Sequence, residues 1–278
     1  MSPPLLVVDG DSFAHRAYHA IPKSIRRGDG GPGNMLFGFS NMLLRLWQGE
    51  QPRNVLVAWD TLEVPTYRHE ALEAYQSGRE FEDELLEQLA LMPALVASSG
   101  LAYAKAPGYE ADDFLGAAVG REEESGGTVL VATSDRDAFQ LASAKTTILQ
   151  PVRGEAPARI GPAEVRERYG VDPEQVPDFI ALRGDPSDKI PGARGIGPKK
   201  AADLLAQYGS LDALLEAGRF SAEADALRLY REIATMQRSA PLPELPDVRP
   251  DWAAAAAHVR ELGMERLAAR YEEATTWT

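Results

Sequence analysis

The sequence contains no cysteine and only four histidines among its 278 residues. This excludes a disulfide framework, a zinc–thiolate site and a thiol nucleophile, so any metal must be held by oxygen or by those histidines. Hard cations are favoured. A secretory leader is also missing: the opening MSPPLLVVDGDSF has no basic start, and its short apolar run leads straight into two aspartates. A cytoplasmic location without a membrane partner is therefore expected. Positive charge is scarce as well, with 29 Lys and Arg against 42 Asp and Glu for a net charge of −13. Phosphate binding normally shows as a basic surface, so the total argues against nucleic acid. A site that concentrates aspartates around cations is acidic by construction, however, and the placement of the acids decides. The 44% hydrophobic content suffices at this length for one large domain, or a core with a smaller appendage.

Three short apolar runs, at residues 5–8, 55–59 and 129–132, are continuous rather than alternating, as in strands buried on both faces of a parallel sheet. Helical spacing separates them at 35–47, 85–96 and 114–119, which predicts an α/β fold. Each run is followed at once by acid: Asp9, then Asp60, then Asp135 and Asp137. Ligands of parallel α/β sheets bind beyond the carboxyl ends of the strands, so these side chains can converge on one crevice. A single aspartate there would read as a turn former or helix cap; three strands of three point to a shared task.

Glu110, Asp112 and Asp113 crowd the start of the next helical segment. Capping needs one acid, and three so close repel unless a cation neutralises them. A loop flanked by Gly and Pro adds Asp185 and Asp188. Nine candidate carboxylates result. Mg²⁺ and Mn²⁺ prefer such oxygen ligands, and nine suggest two ions, which at roughly 4 Å separation support in-line phosphodiester hydrolysis. His15, His19, His69 and His258 have no accompanying metalloprotease pattern and receive no role.

Downstream, Arg194-Gly195-Ile196-Gly197-Pro198-Lys199-Lys200 escapes the acidic trend. The glycines permit a tight turn, Pro198 can start a helix, and free backbone N–H groups there can bind a phosphate.

The stretches LLVVDGDSFAHRAYH, FGFSNMLL, AWDTLEVPTYRHEALEAYQSGR, PGYEADDFLGA, ATSDRDAFQL and RGDPSDKIPGARGIGPKKAADLL resemble, in order, the motifs of the bacterial 5′-nuclease family. That family comprises the 5′→3′ exonuclease domain of DNA polymerase I, its stand-alone relatives and the flap endonucleases. No polymerase sequence follows, so a stand-alone form or an excised domain is expected. The resemblance implies a PIN-like parallel sheet core flanked by helices over residues 1–172, with an arch at about 61–90. A helical subdomain with a helix–hairpin–helix would occupy 173–278. It also implies cleavage of DNA at a 5′ flap, nick or junction of single strand and duplex, and a replication or repair polymerase as partner. Asp9, Asp60, Glu110 and Asp112 would surround one divalent cation and Asp135, Asp137, Asp185 and Asp188 the other, with Asp113 shared or adjacent. Arg194, Gly195, Ile196, Gly197, Lys199 and Lys200 would grip DNA, with K⁺ at the hairpin. Tyr75 would stack an unpaired base, Arg16 would contact DNA, and Arg68 and Arg79 would supply catalytic charge. One position departs from the pattern: the lysine that usually follows the arch tyrosine is Gln76, a neutral donor where a cation would meet the phosphate. A branched-DNA-binding protein with weak cleavage and a PIN-type endoribonuclease are the alternatives.

Overall fold

The computed structural model describes residues 2–62, 64–78 and 80–277. Six strands form its sheet: β1 (Leu5–Asp9), β2 (Asn54–Ala58), β3 (Ala102–Ala104), β4 (Val129–Ala132), β5 (Thr146–Gln150) and β6 (Ala158–Ile160). They lie in the order β3-β2-β1-β4-β5-β6, with β1 to β5 parallel. The expected parallel core is present, and the sheet is mixed only at its edge, where β6 runs antiparallel to β5. Only residues 151–157 join the two strands, too few for the crossover that parallel pairing demands.

Helices cover both faces. In chain order they are α1 (Gly10–Ala20), α2 (Asn34–Glu50), α3 (Tyr67–Ala71), α4 (Asp83–Ser98), α5 (Ala111–Glu124), α6 (Pro162–Tyr169) and α7 (Val176–Arg183). There follow α8 (Pro198–Tyr208), α9 (Leu211–Glu216), α10 (Ala224–Ala234), α11 (Trp252–Glu261) and α12 (Glu265–Ala274). Successive strand residues point to opposite faces. Leu6, Val8, Val55 and Val57 therefore pack with α1, α2, α4, α11 and α12, while Leu5, Val7, Leu56 and Val131 pack with α5 and the helices from α6 to α10.

The stretch 173–278 is consequently not one packing unit. After α10 the chain crosses to the other face, held where Arg53 and Asn54 donate to the carbonyls of Leu245 and Pro246 at 2.7 and 2.6 Å. It then lays α11 and α12 on α4 and α2. Gly263 separates these last helices at φ +69°, and a side chain there would meet the Gly28 backbone at 2.5 Å. Among the described residues no helix is long and apolar enough to cross a membrane.

The strand order turns back at β1, whose neighbours are β2 and β4. Register places Asp9 beside Ala58 and Val8 beside Ala132, so the acids that follow all three strands leave the sheet at one edge. The crevice at such a switch point is where open α/β sheets bind ligands.

Candidate functional site

A cavity of about 850 Å³ opens at that edge. Among the described residues its wall carries Asp9, Asp11, Asp60, Glu110, Asp112, Asp135, Asp137, Asp185 and Asp188, against two arginines, Arg136 and Arg183. Eight of the nine expected acids are thus brought together. Among the described residues, no three of them already form a coordination cluster; they ring the space instead.

Local rules place each one. Asp9 is both strand end and helix cap: Ser12 N donates to it at 2.9 Å, and the Thr133 hydroxyl reaches its other oxygen at 2.6 Å from the end of β4. The helix can start directly behind the strand because residue 10 is glycine; a Cβ there would lie 2.6 Å from the Ala58 carbonyl and the Trp59 ring. Asp60 accepts from Ala111 N at 2.7 Å and so fixes the start of α5 to the end of β2. Asp135 accepts from Asp137 N at 2.8 Å. Asp185 and Asp188 ride on a loop whose neck is closed by two mutual backbone hydrogen bonds of 2.8 Å between Asp185 and Ile190. Gly184 and Gly192 meet behind that neck; a Cβ on Gly192 would come within 2.4 Å of Gly184 N.

Asp11 was not among the expected residues. Its carboxylate accepts from Asp60 N at 2.7 Å and lines the cavity. The signal was present in Asp9-Gly10-Asp11, where a second acid follows two residues after the first.

Burial pushes the Asp9 carboxyl up to about 7, and the negative charges of Asp60 and Asp135 add to it against the hydrogen bonds from Thr133 and Ser12. Burial likewise holds Asp11, Asp112 and Asp137 well above the ordinary carboxylate range. The repulsions fall into two groups. Asp9, Asp11, Asp60 and Asp112 act on one another, Asp137 feels Asp185 and Asp188, and Asp135 acts on both groups.

A family model described as the N-terminal resolvase-like domain of 5′-3′ exonuclease matches residues 4–170, and one for the C-terminal SAM fold of the same exonucleases matches 171–252. The chain belongs to the 5′-3′ exonuclease family. DNA polymerase I of Mycobacterium tuberculosis is 38% identical over 260 residues, covering 88% of this chain. The thermostable DNA polymerase I of Thermus filiformis is 43% identical over 213 residues, or 76% of the chain. The chain spans only 28% and 25% of those polymerases' lengths. Among solved structures, T5 5′-exonuclease with bound divalent metal ions (zinc) superposes with a TM-score of 0.70 at 19% identity, covering 97% of this chain and 98% of that one. The catalytic core of Rad2 in complex with DNA substrate gives 0.63 at 15%, covering 98% and 91%. Both share the fold.

Within this exonuclease-family chain, three expected roles are revised by position. Asp113 is fully buried away from the cavity. Arg68 grips both its oxygens at 2.8 and 2.9 Å, while the backbone N–H groups of Glu110 and Gln237 and the Tyr67 hydroxyl complete the shell. A carboxylate so committed is a structural counter-ion, not a cation ligand. Arg68 itself is 3% exposed, and its Nε donates to the Ile233 carbonyl, so it has no face for a substrate. Tyr75 is buried too, its hydroxyl donating to Glu110 at 3.0 Å, and cannot stack a base. Glu110 lines the cavity but is held by Thr66, Tyr75 and Arg68. Arg79 lies outside the described residues.

Gln76 does reach the cavity. At φ +47° its amide donates to the Tyr75 hydroxyl at 2.9 Å and to Asp188 at 3.1 Å. Three of the acids that follow are neutralised from across the chain: Glu82, Glu84 and Glu87 pair with Lys23, Arg26 and Arg27 at 2.6, 2.8 and 2.5 Å. Arg16 is half-buried on α1, outside the cavity wall. In the hairpin, Arg194, Gly195, Gly197, Lys199 and Lys200 are exposed, and Ile196 tucks against the core. Gly195 turns at φ +75°, and the Lys200 ammonium caps its carbonyl at 3.3 Å, where a monovalent cation was expected. Gly197 starts α8 without a side-chain cap, leaving the first N–H groups of the helix for a ligand.

Proposed function

We propose that this chain is a divalent-metal-dependent 5′-nuclease that hydrolyses DNA phosphodiester bonds at 5′ flaps, nicks and junctions of single strand with duplex. The observation that carries the reading is the convergence of nine carboxylates on one cavity at the switch point of the sheet. The carboxylates supply oxygen donors whose mutual repulsion is relieved by cations, so Mg²⁺ or Mn²⁺ suits the site, and His15 adds a ring nitrogen on the same wall. The split of the acids into two groups joined by Asp135 fits two ions. Asp9, Asp11, Asp60 and Asp112 would serve one, and Asp137, Asp185 and Asp188 the other. When bound, such a pair supplies an activated water and stabilises the leaving oxygen.

The chain's own residues do the rest. Thr133 and Ser12 aim Asp9 inward, Asp60 ties β2 to α5, and the glycine neck presents Asp185 and Asp188. The exposed hairpin, with Arg194, Lys199, Lys200 and the free start of α8, would bind a duplex phosphate of the same substrate. The likeness to polymerase I supports a role in replication or repair beside a polymerase, with a cytoplasmic location as part of the same proposal. The T5 and Rad2 proteins, described with metal ions and with DNA substrate respectively, support the same choice of ligands.

The test is cleavage of a 5′-labelled flap, resolved to the nucleotide, across a Mg²⁺ and Mn²⁺ series. Cuts near the flap junction that vanish with chelator are expected. Intact flap at every metal concentration refutes the reading, and preference for single-stranded RNA points to an endoribonuclease.

A further inference from the structure

Among the described residues, two guanidinium groups lie on the cavity wall, and they are held differently. Arg136 is exposed in the loop after β4. Arg183, the last residue of α7, lies over the rings of Tyr169 and Phe179 at 5.7 and 5.3 Å. Its Nη2 donates to Asp185 at 3.2 Å, and its Nε is buried with no hydrogen-bond partner among the described residues. A guanidinium carries five N–H donors in a planar fork that matches phosphate oxygens two at a time. Here most of that capacity is unspent while the aromatic faces restrain the plane, so the group is ordered before a ligand arrives. The neighbouring candidate, Gln76, is neutral and commits its amide to Tyr75 and Asp188.

We propose that Arg183 is the phosphate-binding cation of this cavity, its fork contacting the non-bridging oxygens of the bond to be cut. The proposal rests on the nuclease reading above. The competing role is a fixed counter-ion for Asp185 and Asp137, whose charges it faces. The two roles differ in what metal can replace. A counter-ion competes with added cations, so its loss tightens metal binding and leaves the saturated rate alone. A phosphate ligand is needed at every metal concentration.

The experiment compares the wild-type chain with Arg183→Gln and Arg183→Lys. It measures single-turnover cleavage of a 5′-labelled flap against Mg²⁺, flap affinity by fluorescence anisotropy without divalent cation, and unfolding temperature. An inert wild-type chain would defeat the nuclease reading itself. With wild type active, Arg183→Gln is expected to cut on the order of 100-fold more slowly at saturating Mg²⁺. Metal-free flap affinity should fall several-fold. Arg183→Lys, which keeps the charge without the fork, should remain several-fold slow with an unchanged Mg²⁺ midpoint, and this variant decides if Arg183→Gln fails to fold. A lower Mg²⁺ midpoint with a wild-type saturated rate in either variant overturns the proposal.

Discussion

Arg68 and Asp113 bury opposite charges with a two-point fit, and the pair joins α3 to α5 while Arg68 Nε reaches the end of α10. Removing one partner of such a pair strands the other, which costs about 3–5 kcal/mol. Arg68→Ala is therefore expected to lower the unfolding temperature by on the order of 10 °C, whereas Asp137→Asn should lower it little or raise it. Calorimetry of the two variants checks this; equal destabilisation would mean that Arg68 is not a structural brace. In sequence, Asp113 is indistinguishable from Asp112 beside it. Which of two adjacent acids faces solvent and which faces a buried arginine depends on where α3 packs, and spacing does not encode that.

At the scale of elements, β1, β2 and β4 were legible because they are continuous apolar runs, and α2, α4 and α5 because their apolar residues recur at helical spacing. The short strands β3 and β6, three residues each, carry no such pattern. They are strands only because a neighbour offers hydrogen bonds. The pairing of Glu82, Glu84 and Glu87 is not legible in sequence for a similar reason: their partners Lys23, Arg26 and Arg27 lie some sixty residues earlier. The loop that carries Asp185 and Asp188 is legible from the flanking Gly184 and Pro186, and the structure adds Gly192, which meets Gly184 behind the neck. Gly192→Ala should open that neck, since its φ of +74° and the 2.4 Å approach to Gly184 both oppose a side chain. Cleavage should fall sharply while circular dichroism stays that of the folded chain; full activity would show the neck to be dispensable. At the hairpin, Lys199→Glu should weaken duplex binding and reduce the slope of log affinity against log salt by about 1. An unchanged slope would remove Lys199 from the interface.

For the whole molecule, the charge of −13 ceases to be an obstacle to nucleic acid once its distribution is seen. Nine acids face one cavity, three more are paired with the basic loop at 23–27, and the exposed hairpin is basic. Stability should follow the cavity acids. Asp9 binds its proton up to about pH 7 in the folded chain but only to 3.8 in the unfolded one. Between those values the folded state holds a proton that the unfolded state has lost, so metal-free stability falls as pH rises through the window. Asp11, Asp112 and Asp137, raised in the same direction, reinforce the trend. The metal-free chain should unfold at a higher temperature near pH 5 than near pH 8, and Mg²⁺ should restore the loss at the higher pH. A pH-independent unfolding temperature would show that these carboxylates ionise freely.

As a centre for two divalent cations, the cavity should take up a countable number of ions. Titration of Mn²⁺ followed by electron paramagnetic resonance counts them directly. Two ions per wild-type chain and one in Asp137→Asn are expected. Absence of bound Mn²⁺ in the wild type, or the same count in both proteins, would show that the cavity is not a two-cation centre.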